Sequence, residues 1–253
     1  MILKETIYYA PAAEDRTLHI YLPDDYDSSG AHYPVMYFWD GHNLFRDSDA
    51  TYGKSWGLKE FLDSWSPRLI IAGIECSHQG EHRLDEYCPY DAELFGTKIS
   101  GEGRETMEWM TGVLKPYVDG HFRTLPSRET TAIGGSSMGG LMSLYAVTMY
   151  NDVYSRAACV SPTIIIVEDQ LRNEISSRNI DPDTRIYLSW GDREGGDDPH
   201  SPFAERVSAV NHDMQELLNR KGALTSLYRQ PGGRHCEADW EKQLPVFMNY
   251  LWL

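Results

Sequence analysis

The feature that most constrains the fold is a glycine-rich segment, residues 134–140, which reads Gly-Gly-Ser-Ser-Met-Gly-Gly. An apolar run at residues 130–133 precedes it, and a helical pattern of apolar residues follows it. Within the segment, Gly135 to Gly139 match the pattern G-x-S-x-G, centred on Ser137. A serine at a sharp strand-to-helix turn is strained, and side chains two positions to either side would collide. The segment therefore predicts a nucleophilic Ser137, in preference to a glycine-rich turn without chemistry.

Strand and helix patterns alternate from about residue 34 to the end of the chain. Continuous apolar runs, typical of strands buried on both faces, occupy residues 34–39, 68–74, 130–133 and 186–190, with a weaker run at 224–229. Near the N-terminus, residues 5–10 and 16–22 alternate polar and apolar side chains, as the strands of a hairpin do. This order predicts an α/β fold with a mostly parallel central sheet, helices on both faces and an N-terminal antiparallel hairpin.

Two helical periods stand out between these runs. One places five apolar residues on a single helix face: Phe203, Val207, Val210, Met214 and Leu217. Ser201 is placed to cap this helix, and Gly222 fits just past its end. The second period comprises Met107, Met110, Val113, Leu114 and Val118. The segment from about residue 76 to residue 101 has little periodicity and predicts a long loop, a kind of segment that is often functional.

The composition is that of a folded, acidic protein. Of 253 residues, 41% are hydrophobic, which excludes a disordered chain. Acidic side chains number 38 against 23 basic ones, and the resulting net charge of −15 argues against a nucleic-acid partner or docking on anionic lipid. No repeat or linker divides the chain, so we expect a single domain over residues 1–253. The sequence does not indicate an oligomeric state.

The N-terminus and the cysteines bear on the compartment. The first apolar stretch ends at Lys4, which is too early for a secretory signal. No run reaches the roughly 18 apolar residues of a membrane span. The four cysteines are scattered without a CxxC pair, and this pattern favours neither a disulfide framework nor a zinc knuckle. We therefore expect a cytoplasmic protein that needs no metal and no organic cofactor.

A nucleophilic serine needs a histidine base that a carboxylate holds in place. Of the three histidines after Ser137, His200 lies just before the long helix and His212 on its polar side. The third, His235, follows the last predicted strand, where a serine of this kind finds its base. The acid is expected just after the run at 186–190, where spacing alone does not choose among Asp192, Glu194, Asp197 and Asp198.

Four separated motifs resemble those of a known family. They are a strand ending in Asp-Gly at residues 34–43, the pattern R-x-x-E-Y-x-P at 83–89, residues 117–124 ahead of the serine, and a histidine followed five residues later by tryptophan at 235–240. Over about residues 16–250 the chain resembles the putative-esterase family of α/β-hydrolases. That family includes feruloyl and acetyl-xylan esterases, enterochelin esterases, S-formylglutathione hydrolase and mycolyltransferases of the antigen 85 type. The resemblance implies the α/β-hydrolase fold.

Carried over residue by residue, the resemblance implies a catalytic triad. Ser137 is the nucleophile, His235 the base and Glu194 the acid. Glu194 matches the family's Gly-x-x-Glu pattern after the penultimate strand, and this match favours it over Asp192.

The resemblance also implies an oxyanion hole formed by two backbone N–H groups. One belongs to Met138 and the other to His42, with Gly41 as the close alternative. Many family members carry Gln or Leu where this chain has His42. Its side chain could line the pocket, contact a substrate or face solvent.

Further residues are candidates for substrate binding. Arg83 and Glu86 are expected to pair and hold the long loop in shape. In the alternative interpretation, Arg83 grips an anionic or polar substrate at the pocket rim. Aromatic side chains that could line an acyl or sugar site are Trp56, Tyr87, Tyr90 and Trp240. For Trp240 we favour packing of the last helix over ligand contact.

These features predict a serine esterase that forms an acyl-enzyme on a small soluble ester. A sugar-linked acetyl or feruloyl ester fits, and so does a siderophore-type lactone. An acyltransferase with the same triad and an alcohol acceptor is the alternative, because acceptor choice depends on pocket shape. A non-catalytic binding module is disfavoured, since the triad is complete. A peptidase on this fold would need a large insertion for which the chain has no room.

Overall fold

A computed structural model describes residues 1–253. Its ten strands are β1 (Ile2–Tyr9), β2 (Glu14–Tyr21), β3 (Val35–Trp39), β4 (Ile70–Ile74), β5 (Ala92–Leu94), β6 (Thr97–Ile99), β7 (Thr131–Ser136), β8 (Arg156–Val160), β9 (Arg185–Gly191) and β10 (Leu224–Gln230). Eight of them form one sheet in the order β1-β2-β4-β3-β7-β8-β9-β10. The pairs β1–β2 and β2–β4 are antiparallel and the other pairs are parallel, which confirms the predicted sheet and its N-terminal hairpin. Strands β5 and β6 form a separate antiparallel hairpin.

Helices cover both faces of the sheet. They are α1 (Leu58–Ser64), α2 (His82–Glu86), α3 (Gly103–Trp109), α4 (Lys115–His121), α5 (Met138–Met149), α6 (Glu168–Ser177), α7 (Pro202–Arg220), α8 (Glu237–Trp240) and α9 (Leu244–Trp252). Every residue of β3 is buried, and its side chains alternate between two cores, with Tyr37 in a cluster of 46 residues and Phe38 in one of 20. Burial on both faces explains why this strand is a continuous apolar run. No helix is both long enough and apolar enough to cross a membrane.

The two predicted helices form, with one side chain out of place in each. The Ser201 hydroxyl caps α7 by accepting a hydrogen bond from Ala204 N–H at 3.2 Å, as predicted. Phe203 in the first turn is 39% exposed, because it borders a surface pocket instead of joining the core. Helices α3 and α4 are joined by a π-helical turn, Met110–Leu114. Within that turn Val113 is 45% exposed, since it lies about a third of a turn away from the buried stripe.

Two regions differ from the sequence prediction. Strand β8 was not predicted, because its sequence, RAACV, begins with Arg and two Ala, which have little strand preference. The segment from residue 76 to residue 101 is not entirely a loop. It contains the short helix α2 and the β5–β6 hairpin, elements too short to produce a clear period in the sequence.

Candidate active site

The three residues of the predicted triad lie beyond the carboxyl ends of three strands. Ser137 directly follows β7, Glu194 lies three residues after β9, and His235 lies five residues after β10. These strands belong to one parallel block of the sheet, so their carboxyl ends share an edge. In open α/β sheets this edge is where ligands bind.

Ser137 has the strained backbone that the glycine pattern predicts, with φ +58° and ψ −122°. The packing of Trp39 explains both flanking glycines. A Cβ atom on Gly135 or on Gly139 would lie 2.8 Å from a carbon of the Trp39 side chain, closer than real side chains approach. The first hydrogen bond of α5 joins Leu141 N–H to the Ser137 carbonyl at 3.0 Å. The N–H of Met138 therefore lies in the unpaired first turn of the helix, available to an oxyanion.

His235 and Glu194 are hydrogen bonded, with 3.0 Å between Nδ1 of the imidazole and Oε2 of the carboxylate. The other carboxylate oxygen accepts hydrogen bonds from Gly191 N–H at 2.6 Å and from the Ser161 hydroxyl at 2.5 Å. Ser161 in turn accepts one from Trp240 Nε1–H at 3.0 Å. Donors on both oxygens hold the carboxylate in one orientation. Ser161 was not among the predicted site residues, because it follows β8, the strand that was not predicted.

The competing acid and base candidates have other partners. Asp192 accepts a hydrogen bond from Gly232 N–H at 2.7 Å and so links the ends of β9 and β10. Asp197 pairs with Arg234 at 2.6 Å on the surface. His212 Nδ1 lies 2.8 Å from the backbone carbonyl of Ser208, within its own helix.

The Ser137 hydroxyl lies 3.3 Å from the hydroxyl of Thr163 and makes no hydrogen bond to His235. Both Ser137 and His235 border the same cavity. In ligand-free enzymes the contact between nucleophile and base is often loose and tightens only with substrate bound. The arrangement is therefore compatible with proton transfer from Ser137 to His235 once a substrate is bound.

The predicted second oxyanion donor lies in a single helical turn, Gly41–Asn43, directly after β3. The first hydrogen bond of this turn is from Asn43 N–H to the Asp40 carbonyl at 2.9 Å, so the turn does not use the N–H of His42. Only glycine fits at position 41, because a Cβ atom there would lie 2.3 Å from the Gly73 carbonyl oxygen of β4. Asp40 has φ +56°, which turns the chain sharply out of the strand.

The expected pair between Arg83 and Glu86 is wrong. Arg83 instead holds Asp40 with two hydrogen bonds, Nε to Oδ1 at 2.8 Å and a terminal nitrogen to Oδ2 at 2.7 Å. Glu86 pairs with Arg16 of β2. Burial opposes ionisation of Asp40, but the Arg83 guanidinium overcomes it and lowers the pKa of the carboxyl below its ordinary value. The ring of Tyr87 lies under Arg83 at 5.0 Å. These contacts fix the turn that carries His42.

Two of the predicted aromatic pocket residues lie in the interior. Trp56 is 2% exposed and packs edge-on against Phe38 at 5.7 Å, so it belongs to the core under the last helix. Tyr87 is equally buried and its hydroxyl accepts a hydrogen bond from Asp40 N–H at 3.3 Å. The Tyr90 hydroxyl donates to Glu174 of α6. By contrast, Trp240 borders the cavity and also packs edge-on against His235, with 5.0 Å between ring centroids.

Two cavities of different character meet at Ser137 and His235. One is a polar cleft of about 760 Å³ whose lining includes His42, Cys76, His78, Arg83, Glu237 and Trp240. The other is an apolar pocket of about 490 Å³ whose lining includes Leu94, Phe95, Ile165, Ile166, Phe203 and Val207. The apolar pocket was not predicted from the sequence. Its walls come from the β5–β6 hairpin, the segment after β8 and the start of α7, which are distant in the chain.

The structure also brings three potential metal ligands together, where the sequence predicted no metal-ligand cluster. One ligand atom each of His42, Cys76 and His78 lies within 4.8 Å of the others. His42 follows β3, and the other two follow β4, its parallel neighbour. No spacing rule covers ligands 34 residues apart in the chain, and this distance explains why the cluster was missed.

Comparisons with known proteins bear on the family and the fold of this chain. A family model described as "Putative esterase" matches residues 11–251. The uncharacterized protein YbbA of Bacillus subtilis (strain 168) is 27% identical over 187 residues, which are 72% of this chain and 70% of that protein. A crystal structure of an IroE-like serine hydrolase from Shewanella oneidensis has a TM-score of 0.77 at 17% identity, covering 99% of this chain and 79% of the other.

The enterobactin esterase FES from Shigella flexneri, solved with 2,3-di-hydroxy-N-benzoyl-serine, is similar with a TM-score of 0.74 at 16% identity. That match covers all of this chain and 59% of FES. At these identities the structural likeness shows the fold alone.

Proposed function

Because this chain belongs to the putative-esterase family, it is an esterase, and we propose that it cleaves a carboxylic ester through a covalent acyl-enzyme on Ser137. The observation that carries this proposal is the 3.0 Å hydrogen bond between His235 Nδ1 and Glu194 Oε2, beside the cavity that Ser137 borders. A carboxylate on Nδ1 leaves Nε2 of the imidazole as the free proton acceptor.

In the first half of the reaction, Ser137 Oγ attacks the ester carbonyl while His235 Nε2 takes the hydroxyl proton. Negative charge develops on the carbonyl oxygen, where the N–H groups of Met138 and His42 would stabilise it. Such donors are worth about 3–4 kcal/mol each. The bond from carbon to the alcohol oxygen then breaks, and His235 gives its proton to the departing alcohol. The acyl group is left on Ser137.

In the second half, a water molecule attacks the acyl carbonyl and His235 takes its proton. The bond between the acyl carbon and Ser137 Oγ breaks, and the proton returns to the serine. Glu194 stays ionised throughout and stabilises the imidazolium formed in each half. Its role is consistent with the Gly191 and Ser161 hydrogen bonds, which hold the carboxylate in position beside His235.

The test of this mechanism is covalent labelling with a fluorophosphonate probe. We expect one adduct per chain on Ser137, located by peptide mass spectrometry, and no ester hydrolysis by Ser137→Ala. Ser136→Ala is the matched control, because Ser136 is the adjacent serine and is buried. It should keep both labelling and most activity. An adduct on Ser136, or an active Ser137→Ala, would refute the acyl-enzyme.

For the substrate, we propose an ester with one apolar part and one polar, uncharged part. Support comes from the two cavities, which both border Ser137 and His235. An ester spanning the nucleophile would place one part in each cavity. The apolar pocket suits an aromatic or aliphatic group, and the polar cleft suits a hydroxylated group such as a sugar.

The charges of the polar cleft argue against a highly anionic substrate. Its lining includes the acidic side chains of Asp40, Glu81 and Glu237. Arg83 is the only Lys or Arg in the lining, and Asp40 occupies its guanidinium. An anionic siderophore would therefore meet charge of its own sign, on a chain with a net charge of −15. A neutral sugar-linked aromatic ester fits the cleft better than a siderophore lactone.

A hydrolysis panel tests this choice. It sets acetyl, butyryl and feruloyl esters of one sugar beside a catecholate trilactone, and we expect the feruloyl ester to have the highest kcat/KM. The variant Ile166→Ala removes part of the apolar wall. It should lower kcat/KM for the feruloyl ester by about tenfold, the scale of a lost apolar contact. The acetyl ester, which is too small to need that wall, is the internal control. Preference for the trilactone would overturn the substrate class.

A further inference from the structure

The wall of the polar cleft carries a group of side chains that the proposed hydrolysis does not use. From the grouping of His42, Cys76 and His78 within 4.8 Å, we propose a binding site for a single borderline divalent cation, Zn²⁺ in particular. Imidazole nitrogen and thiolate sulfur are ligands that zinc prefers. Three protein ligands would leave a fourth position open to water from the cleft.

His42 provides the most specific support. Its side chain is 5% exposed, and its Nδ1 atom is buried without any hydrogen-bond partner. Nε2 lies 3.0 Å from the Thr51 hydroxyl. When Nε2 donates its hydrogen to Thr51, Nδ1 is left with a free lone pair. A buried polar atom without a hydrogen-bond partner costs free energy, and a bound cation at this nitrogen would remove that cost. A metal-bound histidine usually donates a hydrogen bond from its other ring nitrogen.

The other two ligands come from the segment after β4. Cys76 is buried in the cleft wall, and its thiol would lose a proton to solvent on binding the ion. The rings of His42 and His78 meet edge-on at 4.8 Å between centroids. His78 Nε2 lies 3.3 Å from a carboxylate oxygen of Glu75, which would orient the imidazole.

Binding requires a small contraction that the site allows. Ligand atoms around a tetrahedral zinc ion lie about 3.3–3.6 Å apart, given Zn–S and Zn–N bonds of about 2.3 and 2.05 Å. The side chain of His78 is 58% exposed, so it can rotate inward and also leaves an entry path from the cleft. Charge favours a cation too. Asp40 neutralises the neighbouring Arg83, and the Glu75 carboxylate beside His78 contributes negative charge.

The experiment titrates the protein with Co²⁺ or Zn²⁺ alone, after treatment with a chelator. We expect one ion per chain by metal analysis and an ultraviolet thiolate-to-cobalt charge-transfer band. Cys76→Ser should lose that band. His78→Gln should weaken binding by more than about tenfold, because losing even a residue that only orients a metal ligand costs at least that much. Far-ultraviolet circular dichroism checks that each variant is folded. His78 is exposed, so its replacement leaves the core intact.

Two matched controls locate the site. Cys236→Ser removes the other cysteine of the same cleft, and His82→Gln removes an exposed histidine nearby in the chain. Both should bind the ion as the wild type does. The proposal is wrong if the wild type binds no stoichiometric ion, or if folded Cys76→Ser keeps the charge-transfer band. Because binding is read directly, the result does not depend on the proposed esterase mechanism.

Discussion

The Nδ1 atom of His235 lies 3.0 Å from the Oε2 atom of Glu194, across 41 residues of chain. Asp192 is two residues closer to the end of β9, yet it binds the Gly232 N–H. Two neighbouring carboxylates therefore have different partners, one a side chain of the candidate site and the other the backbone of an adjacent turn.

This difference predicts unequal effects of two alanine substitutions. Glu194→Ala should lower kcat by about 10⁴-fold, as loss of the equivalent carboxylate does elsewhere, with little change in KM. Asp192→Ala should lower kcat far less, because Asp192 contacts the Gly232 N–H and the Arg229 side chain and makes no contact with His235. Steady-state kinetics on one ester measures both. If Asp192→Ala lowers kcat severely and Glu194→Ala lowers it only slightly, the acid is Asp192 and the assignment is reversed.

Ser161 is predicted to act as a positioning residue for Glu194. It donates to that carboxylate at 2.5 Å and accepts from Trp240 at 3.0 Å. Ser161→Ala removes both contacts and should lower kcat by roughly tenfold, the cost of one hydrogen bond to a charged group, while KM stays constant. Ser136→Ala, a serine-to-alanine change that leaves this network intact, is the control. A fall in substrate affinity instead of kcat would mean that Ser161 contacts the substrate.

The pair formed by Asp40 and Arg83 is predicted to stabilise both the fold and the turn Gly41–Asn43, which carries His42. Arg83→Gln leaves a buried carboxylate without its cation. We expect a loss of about 2–3 kcal/mol in the free energy of unfolding, less than the about 3–5 kcal/mol of a fully buried pair, because 28% of the Arg83 side chain is exposed. Urea denaturation measures this loss.

The same change should lower kcat, because His42 loses its fixed position. The double variant Asp40→Asn with Arg83→Gln removes the unpaired charge and should recover part of the stability. If Arg83→Gln alone is as stable as the wild type, the ion pair does not hold the turn.

The contribution of Glu174 to stability is predicted to depend on pH. Burial opposes ionisation of this carboxyl, but hydrogen bonds from Arg104 and Tyr90 lower its pKa below the ordinary 4.5. The unfolded state therefore binds the proton more tightly, and the stabilisation is present above pH 4.5 and is lost as the pH falls below it. Glu174→Gln should destabilise the protein at pH 7 and make a smaller difference at pH 3, as measured by urea denaturation. An equal difference at both pH values would exclude an ionic contribution from Glu174.

The sequence by itself determined the sheet, apart from strand β8, and the position of the serine turn. Both are encoded locally: strands buried on two faces are apolar runs, and only glycines fit beside Trp39 at the strained Ser137. The choice of His235 as the predicted base came from the order of strands and helices along the chain. The choice of Glu194 over Asp192 needed the family resemblance, because the residue that contacts a histidine 41 positions away cannot be read from spacing within one loop.

Only the tertiary structure decided which distant side chains meet. Arg83 could pair three residues away with Glu86, but the fold brings it to Asp40, 43 positions back in the chain. Trp56 is aromatic and could have lined a pocket, but the last helix packs against it and buries it. Ser161, the apolar pocket and the group of His42, Cys76 and His78 likewise arise where strand ends converge. Local pattern determines elements because backbone geometry is local, whereas the partners of a side chain depend on which segments the completed sheet places side by side.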